Sequence, residues 1–263
     1  MHAGIMMNID LSGKIAVITG GTAGIGLSVA ERFAGAGARV AICSSNQANV
    51  DQALSILKNK NINAHAAVVD VSKRLEIFSF ADAVEKKFGG IDIWVSNAAI
   101  YSHGKLIDTT EDLWQRVMDV NVKSVYYGGL IAADKIKKRG GGVLFNAASF
   151  ASLMPSVGSG VYAVSKAAIW SMTKTLGAEL APFNIRVVGY IPGVIKTRMN
   201  EALIQLKGKE LEKQVALQRL GESDEVAKVI LFLASDHASY ITGTCVEISG
   251  GKFCVQNPQD AWV

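Results

Sequence analysis

The sequence predicts an α/β fold, one doubly wound domain over residues 1–263 with a parallel sheet flanked by helices on both faces. Three observations predict it. Short apolar runs of strand type alternate with helical patterns along the chain. The runs are largely apolar rather than alternately polar, as strands covered on both faces require. The length, 263 residues with 49% hydrophobic residues, suffices for a full core, and no Pro/Ser-rich linker, low-complexity tract or internal repeat divides it.

Ile15-Ala16-Val17-Ile18 is the first strand, and it runs directly into Thr19-Gly20-Gly21-Thr22-Ala23-Gly24-Ile25-Gly26. A helix follows at once, with Ile25, Val29, Phe33 and Ala36 on one face. Further strands are read at Val40-Ala41-Ile42, Ala66-Ala67-Val68-Val69, Ile91-Asp92-Ile93-Trp94-Val95, Val143-Leu144-Phe145 and Arg186-Val187-Val188-Gly189-Tyr190. A long helix is expected over 161–180, and an amphipathic one begins at Met199 and runs through Leu206. Lys135-Ile136-Lys137-Lys138-Arg139 reads as the solvated end of a helix, where cations complement the C-terminal dipole.

Several function classes are excluded. The net charge of +4 is modest and spread out, so no nucleic-acid surface is expected. No apolar run is long enough to span a bilayer, and Met1 to Asn8 lacks the charged start and cleavage pattern of a signal peptide. A cytoplasmic protein is expected. Cys43, Cys245 and Cys254 form no CxxC pair, and Cys43 reads as an inert core thiol. His2, His65, His103 and His237 show no ligand spacing, so no metal is expected. His103 reads as an exposed loop residue, with a place at the mouth of a site as the alternative.

A strand, a glycine turn and a helix start together make a phosphate cradle. Glycine lets the backbone approach closely, and the helix start offers free N–H groups and a positive dipole end. The spacing Gly20, Gly24, Gly26 differs from the common GxGxxG pattern. Later in the chain, Tyr162 and Lys166 form an i,i+4 pair, which places both on one helix face. A nearby ammonium is expected to lower the phenol pKa from its ordinary value of about 10. A serine hydroxyl such as Ser149 then has the chemistry to hold a carbonyl or alcohol oxygen while the tyrosine moves its proton.

The chain resembles the short-chain dehydrogenase/reductase family, in its compact Rossmann-type branch. The resemblance runs from about Leu11 to Gly251 and rests on separated motifs in the family's order. These are the TGxxxGxG turn at Thr19 to Gly26, Asp70 in Val68-Val69-Asp70-Val71, and Ser96-Asn97-Ala98-Ala99 for the NNAG segment. They continue with Asn121, Ser149, Tyr162 and Lys166 for the catalytic tetrad, and Pro192-Gly193-Val194-Ile195-Lys196-Thr197 for PGxIxT. The family's usual glycine is Ala99 here. The resemblance implies an NAD(P)-dependent oxidoreductase interconverting a ketone or aldehyde and an alcohol. It makes Tyr162 the acid/base, Lys166 its activator and a ribose contact, Ser149 the holder of the substrate oxygen, and Asn121 a helix kink that relays protons through water. It places the cofactor against Gly20, Thr22, Gly24, Ile25, Gly26, Ser44, Ser45, Asn46, Asp70, Val71, Asn97, Ala98, Ala99, Tyr162, Lys166, Pro192, Gly193, Ile195 and Thr197.

The end of the second strand, Ser44-Ser45-Asn46, carries neither an acid to repel a 2′-phosphate nor an arginine to pair with one. Missing repulsion and mild basicity lean the expectation to NADP(H). The resemblance places substrate among Tyr101, Ser149, Phe150, Met154, Val194 and Met199, under a lid at 198–220. This set has few charges, so the expected substrate is neutral and fairly apolar. Ser44-Ser45 with Asn49-Val50-Asp51-Gln52-Ala53, Ile93 to Ala99 and Ser239 to Gly243 resemble the dicarbonyl- and retinal-reducing branch, without its arginine after the second strand or its peroxisomal ending. The resemblance further implies a homotetramer, or a homodimer, paired through helices at 110–138 and 161–180; Trp170 and Met172 on the second helix fit either that contact or a core position. The tail at 252–263, with Phe253 and Trp262, is a candidate reach to a neighbouring subunit. Two other readings stand beside this one: a 3-oxoacyl-(acyl-carrier-protein) reductase, and a dinucleotide-sensing or scaffold protein without turnover.

Overall fold

Strand β1 (Ile15–Thr19) is buried along its whole length. Ala16 and Ile18 point into one core layer and Ile15 and Val17 into the other, the period-two alternation of a central strand. The computed structural model describes residues 9–252 and 254–262. Met1 to Asn8 and Phe253, on which two expectations fell, lie outside the described residues.

Six further strands join β1: β2 (Arg39–Ser44), β3 (His65–Val68), β4 (Ile93–Ser96), β5 (Gly142–Ala147), β6 (Ile185–Pro192) and β7 (Thr244–Ile248). The seven-stranded sheet has the order β3-β2-β1-β4-β5-β6-β7, parallel at every pairing. β7 was not among the strands read from the sequence. It is a half-exposed edge strand, so it lacks the continuous apolar run that marks the others. The order reverses between β1 and β4, and the crevice beyond their C-terminal ends is the usual binding place of such sheets.

The helices in chain order are α1 (Gly24–Gly35), α2 (Gln47–Asn59), α3 (Arg74–Phe88), α4 (Glu111–Val117), α5 (Ser124–Ile131), α6 (Gly160–Glu179), α7 (Glu201–Lys213) and α8 (Ser223–Ala234). Val29 and Phe33 of α1, Leu57 of α2 and Ile230 of α8 fill the core on one face. Ile77 and Val84 of α3 and Ile131 of α5 fill it on the other. Among the described residues, no helix is long and apolar enough to cross a membrane.

The segment read as one helix over 110–138 is α4 and α5 joined through a wider π turn at Met118–Lys123, with a second at Ala132–Ile136. Its basic end is not wholly solvated. Lys135 is buried and reaches Asp82 and Glu85 of α3, each at 2.6 Å. Its long stem covers apolar surface while the ammonium meets carboxylates; Lys137, Lys138 and Arg139 are exposed as expected.

Candidate active site

The glycine turn follows from what its glycines touch. A Cβ on Gly26 would stand 2.4 Å from the Gly20 carbonyl oxygen, and one on Gly20 would stand 2.9 Å from the Ala98 Cα. Those two glycines let the turn pack on the end of β4. Gly24, at φ +52°, faces outward and meets only Thr197, whose methyl lies 3.0 Å from the Cβ position. The helix that starts there, α1, has no side-chain cap and no acid in its first turn, whereas α2 is capped by Asn46. The open first-turn N–H groups and the groove at Gly24 are the donor set a pyrophosphate needs.

Asn97 is committed to holding this turn. Its amide donates to the carbonyls of Thr19 and Gly20, both at 3.1 Å, and its carbonyl accepts from the Tyr190 hydroxyl at 3.0 Å. Thr19 Oγ1 accepts from the backbone N–H groups of Asn97 and Ala98. Thr19 reads in the sequence only as the head of the glycine motif, and Tyr190 lies just outside the motif that begins at Pro192, although its full burial with a polar tip demands a partner. Asp70 lies beyond the end of β3, its carboxylate accepting from the Ser72 N–H and hydroxyl. Ser44 is half-buried, while Ser45 and Asn46 are exposed. Asn46 Oδ1 is already engaged, accepting from the Asn49 N–H at 3.1 Å.

Ser149, Tyr162 and Lys166 meet at the C-terminal end of β5. Ser149 lies two residues beyond the strand, at the start of the Phe150–Ser152 turn, and is buried, its hydroxyl accepting from the Ala151 N–H. Lys166, 2% exposed, donates to the Ala147 carbonyl at 2.7 Å, and its Nζ lies 5.6 Å from the centre of the Tyr162 ring. Burial pushes the Tyr162 phenol up to about 12, against a smaller downward pull from its hydrogen bond with Ser149. Burial lowers the Lys166 ammonium to about 7. This differs from the expectation of a phenol lowered by its lysine. Tyr162 is half-buried as a residue, yet desolvation of its phenol disfavours the charged form, and burial likewise weakens the cation meant to help it.

Asn121 sits in the π turn and is fully buried. It accepts from the Ile100 N–H at 2.8 Å and donates to the Ile100 carbonyl and to Ser165 Oγ, each at 3.0 Å. Ser165 in turn donates to the Tyr162 carbonyl at 2.7 Å. The extra residue in the turn sets the loop after β4 against α6. Ser165 was missed, although its place beside Lys166 in the sequence was a usable signal.

Tyr101 stacks edge-on against Tyr162, ring centres 4.9 Å apart. Phe150 lies under the Lys252 ammonium at 5.5 Å. Val194 is buried, whereas Met154 and Met199 stand exposed at the rim. His103 is exposed and lies against Gly158. Pro192 ends β6, and the Gly193 N–H bonds the Ile248 carbonyl on β7. A bridge between Ile195 and Gly221 closes the root of the lid. The tail folds back on its own chain, where Trp262 Nε1 donates to the Ala216 carbonyl at 3.0 Å. A cleft of about 880 Å³ separates tail from lid, lined by Met154, Glu210, Lys213 and Gln214. None of Ser149, Tyr162 or Lys166 lines it, so it is distinct from the place where these three meet.

A family model described as enoyl-(acyl carrier protein) reductase matches residues 20–252. The dehydrogenase/reductase SDR family member 4 of Oryctolagus cuniculus is 40% identical over 252 residues, covering 95% of this chain and 97% of that protein. Its namesake from Homo sapiens is 39% identical, covering 95% and 91%. A crystal structure of a short-chain type dehydrogenase/reductase from Mycobacterium marinum superposes with a TM-score of 0.89 at 34% identity, over 94% of this chain and 98% of that one. Sheet order, glycine turn and near-complete coverage by these relatives agree: the chain belongs to the short-chain dehydrogenase/reductase family and is an oxidoreductase.

Proposed function

We propose that this oxidoreductase interconverts a ketone or aldehyde and an alcohol on a neutral, fairly apolar substrate, with NADP(H) preferred and Tyr162 as acid/base. The observation that carries the reading is the meeting of Tyr162 with Ser149 and Lys166 beside an open glycine cradle. The residues fit a nicotinamide dinucleotide: the turn from Gly20 through Gly26 for its phosphates, Asp70 and Val71 for the adenine end, Thr197 and Lys166 for the nicotinamide end. When bound, the cofactor supplies or takes up the hydride.

The protein's own part is position and protons. Tyr162, its phenol near 12, holds its proton through neutral pH and suits the acid role in carbonyl reduction. In alcohol oxidation Tyr162 must first pass that proton on, with the partly neutral Lys166 amine as the acceptor at hand, before its oxygen takes the proton of the alcohol. Ser149 fixes the substrate oxygen beside that phenol, where a hydrogen bond strengthens as negative charge develops. Lys166, near 7, loads and unloads a proton close to neutrality and so suits the resupply of Tyr162. Asn121 and Ser165 act through the backbone they hold, keeping Ile100 and Tyr162 in register. Tyr101 covers one side of the Tyr162 ring and limits water there.

Exposed Met154, Met199 and Leu203 at the rim favour a neutral, apolar substrate. Docking of an acidic carrier protein is less well supported. Of the three cations it would use, Lys196 is paired with Glu222 at 2.6 Å and Arg139 with Asp92 at 3.2 Å, which leaves Arg198 as too small a basic patch. A single domain, a homotetramer and a cytoplasmic setting complete the reading. The test is turnover of apolar ketones with NADPH by the wild type and Tyr162→Phe. Loss of the phenol oxygen is expected to cost about 10²–10⁴-fold in kcat. Full turnover by Tyr162→Phe would sink the mechanism, and a wild type fastest on dicarboxylates would sink the substrate class.

A further inference from the structure

The turn that leaves β2 has no charged residue of its own, yet a guanidinium reaches it from the far side of the site. Arg198 Nη1 donates to Asn49 Oδ1 at 3.2 Å, joining residues 149 positions apart. Asn49 lies in the first turn of α2, just past Ser44, Ser45 and the capping Asn46. Arg198 directly follows Thr197, whose methyl faces Gly24 of the glycine turn. One residue at the root of the lid therefore spans from the cradle to the end of β2.

The two cations beside the Ile195–Gly221 bridge at the root of the lid are neutralised. Lys196 is paired with Glu222, and Arg219 with Glu225, each at 2.6 Å. Arg198 has no carboxylate partner among the described residues; a neutral amide steers it. A guanidinium has five N–H donors, and most stay available for a second, doubly charged partner. In a dinucleotide-binding βαβ unit, the end of β2 is where the ribose 2′ position is read, and an arginine nearby accommodates a 2′-phosphate.

We propose that Arg198, delivered by the lid rather than by the β2 turn, reads the 2′-phosphate of NADP(H), and that this contact ties lid closure to the phosphorylated cofactor. Asn49 is its positioning residue. The assignment rests on the dinucleotide reading above and explains how a β2 turn without arginine selects NADP(H).

The test is fluorescence titration of the full chain with NADPH and with NADH, in the absence of substrate. Arg198→Ala is expected to weaken NADPH about ten- to a hundredfold, the range of a lost hydrogen bond to a charged group, and NADH less than about twofold. Arg198→Lys should restore part of the loss, because charge remains without the planar fork. Asn49→Ala should weaken NADPH a few-fold and leave NADH unchanged. Limited proteolysis of 198–220 gives a second readout: NADPH should protect the lid more than NADH does, and Arg198→Ala should erase that difference. Equal losses for both cofactors would place Arg198 on the pyrophosphate and overturn the proposal, as would unchanged binding in Arg198→Ala or a wild type that prefers NADH. A wild type that binds neither cofactor would instead overturn the dinucleotide reading itself.

Discussion

The floor of the candidate site and its rim are built on opposite plans. On the floor, Asn121 and Ser165 are fully buried and Lys166 nearly so, each held by hydrogen bonds to other elements. On the rim, α7 has no buried residue, and Leu203 and Leu206 are 41% and 76% exposed. Its backbone is also broken at Lys207, at φ −136° and ψ 18°. Groups that move protons must be held closely in place. A rim that admits substrate has to open, so it belongs to the least stable part of the fold. Turnover and substrate affinity should therefore respond to different residues.

The sharpest way to break that contrast after Tyr162→Phe is Asn121→Ala. It strands the Ile100 N–H and carbonyl and removes the donor to Ser165. We expect kcat to fall about 10²-fold or more, since small misplacements of reacting groups are costly. Stability should fall by about 2–4 kcal/mol, measured by urea denaturation. An unchanged midpoint would mean the floor is not the rigid region we describe.

Next in size is the pH dependence of stability. With Lys166 lowered from 10.5 to about 7, the unfolded chain binds more protons than the native one between those values. Stability from this group therefore rises with pH from about 7 to 10.5, by at most about 1.4 kcal/mol per unit. Below pH 7 the cost of charging the buried ammonium is fully present. Tyr162, raised from 10 to about 12, acts oppositely and loses stability for the protein as pH rises through that interval. Lys166→Met should abolish the first slope; if the slope persists, another group is responsible.

The smallest effects belong to the rim. Met199→Ala and Leu203→Ala should raise KM for an apolar ketone about two- to tenfold, with kcat within about twofold. Stability should change by less than about 0.5 kcal/mol, as for exposed positions generally. A kcat loss as large as that of Asn121→Ala would erase the distinction between the regions.

Much of this could be read along the chain, because it depends on neighbours in sequence. The apolar runs of β1, β4 and β5 announce themselves, since central parallel strands are buried on both faces. The glycine turn and the Tyr162–Lys166 spacing are equally local. β7 escaped because an edge strand keeps exposed positions. Lys135 was misread because sequence gives the charge of a side chain but not the carboxylates across from it.

The sequence by itself determined the alternating α/β plan, the family and which residues have the chemistry to move a proton. Only the tertiary structure decided where burial outweighs charge, as at Tyr162, and which distant residues share a task. Asn97 with Tyr190 and Arg198 with Asn49 are pairs that no local pattern joins. The physical reason is range: helix and strand patterns express contacts a few residues apart, whereas desolvation and hydrogen-bond partners depend on everything the folded chain brings near.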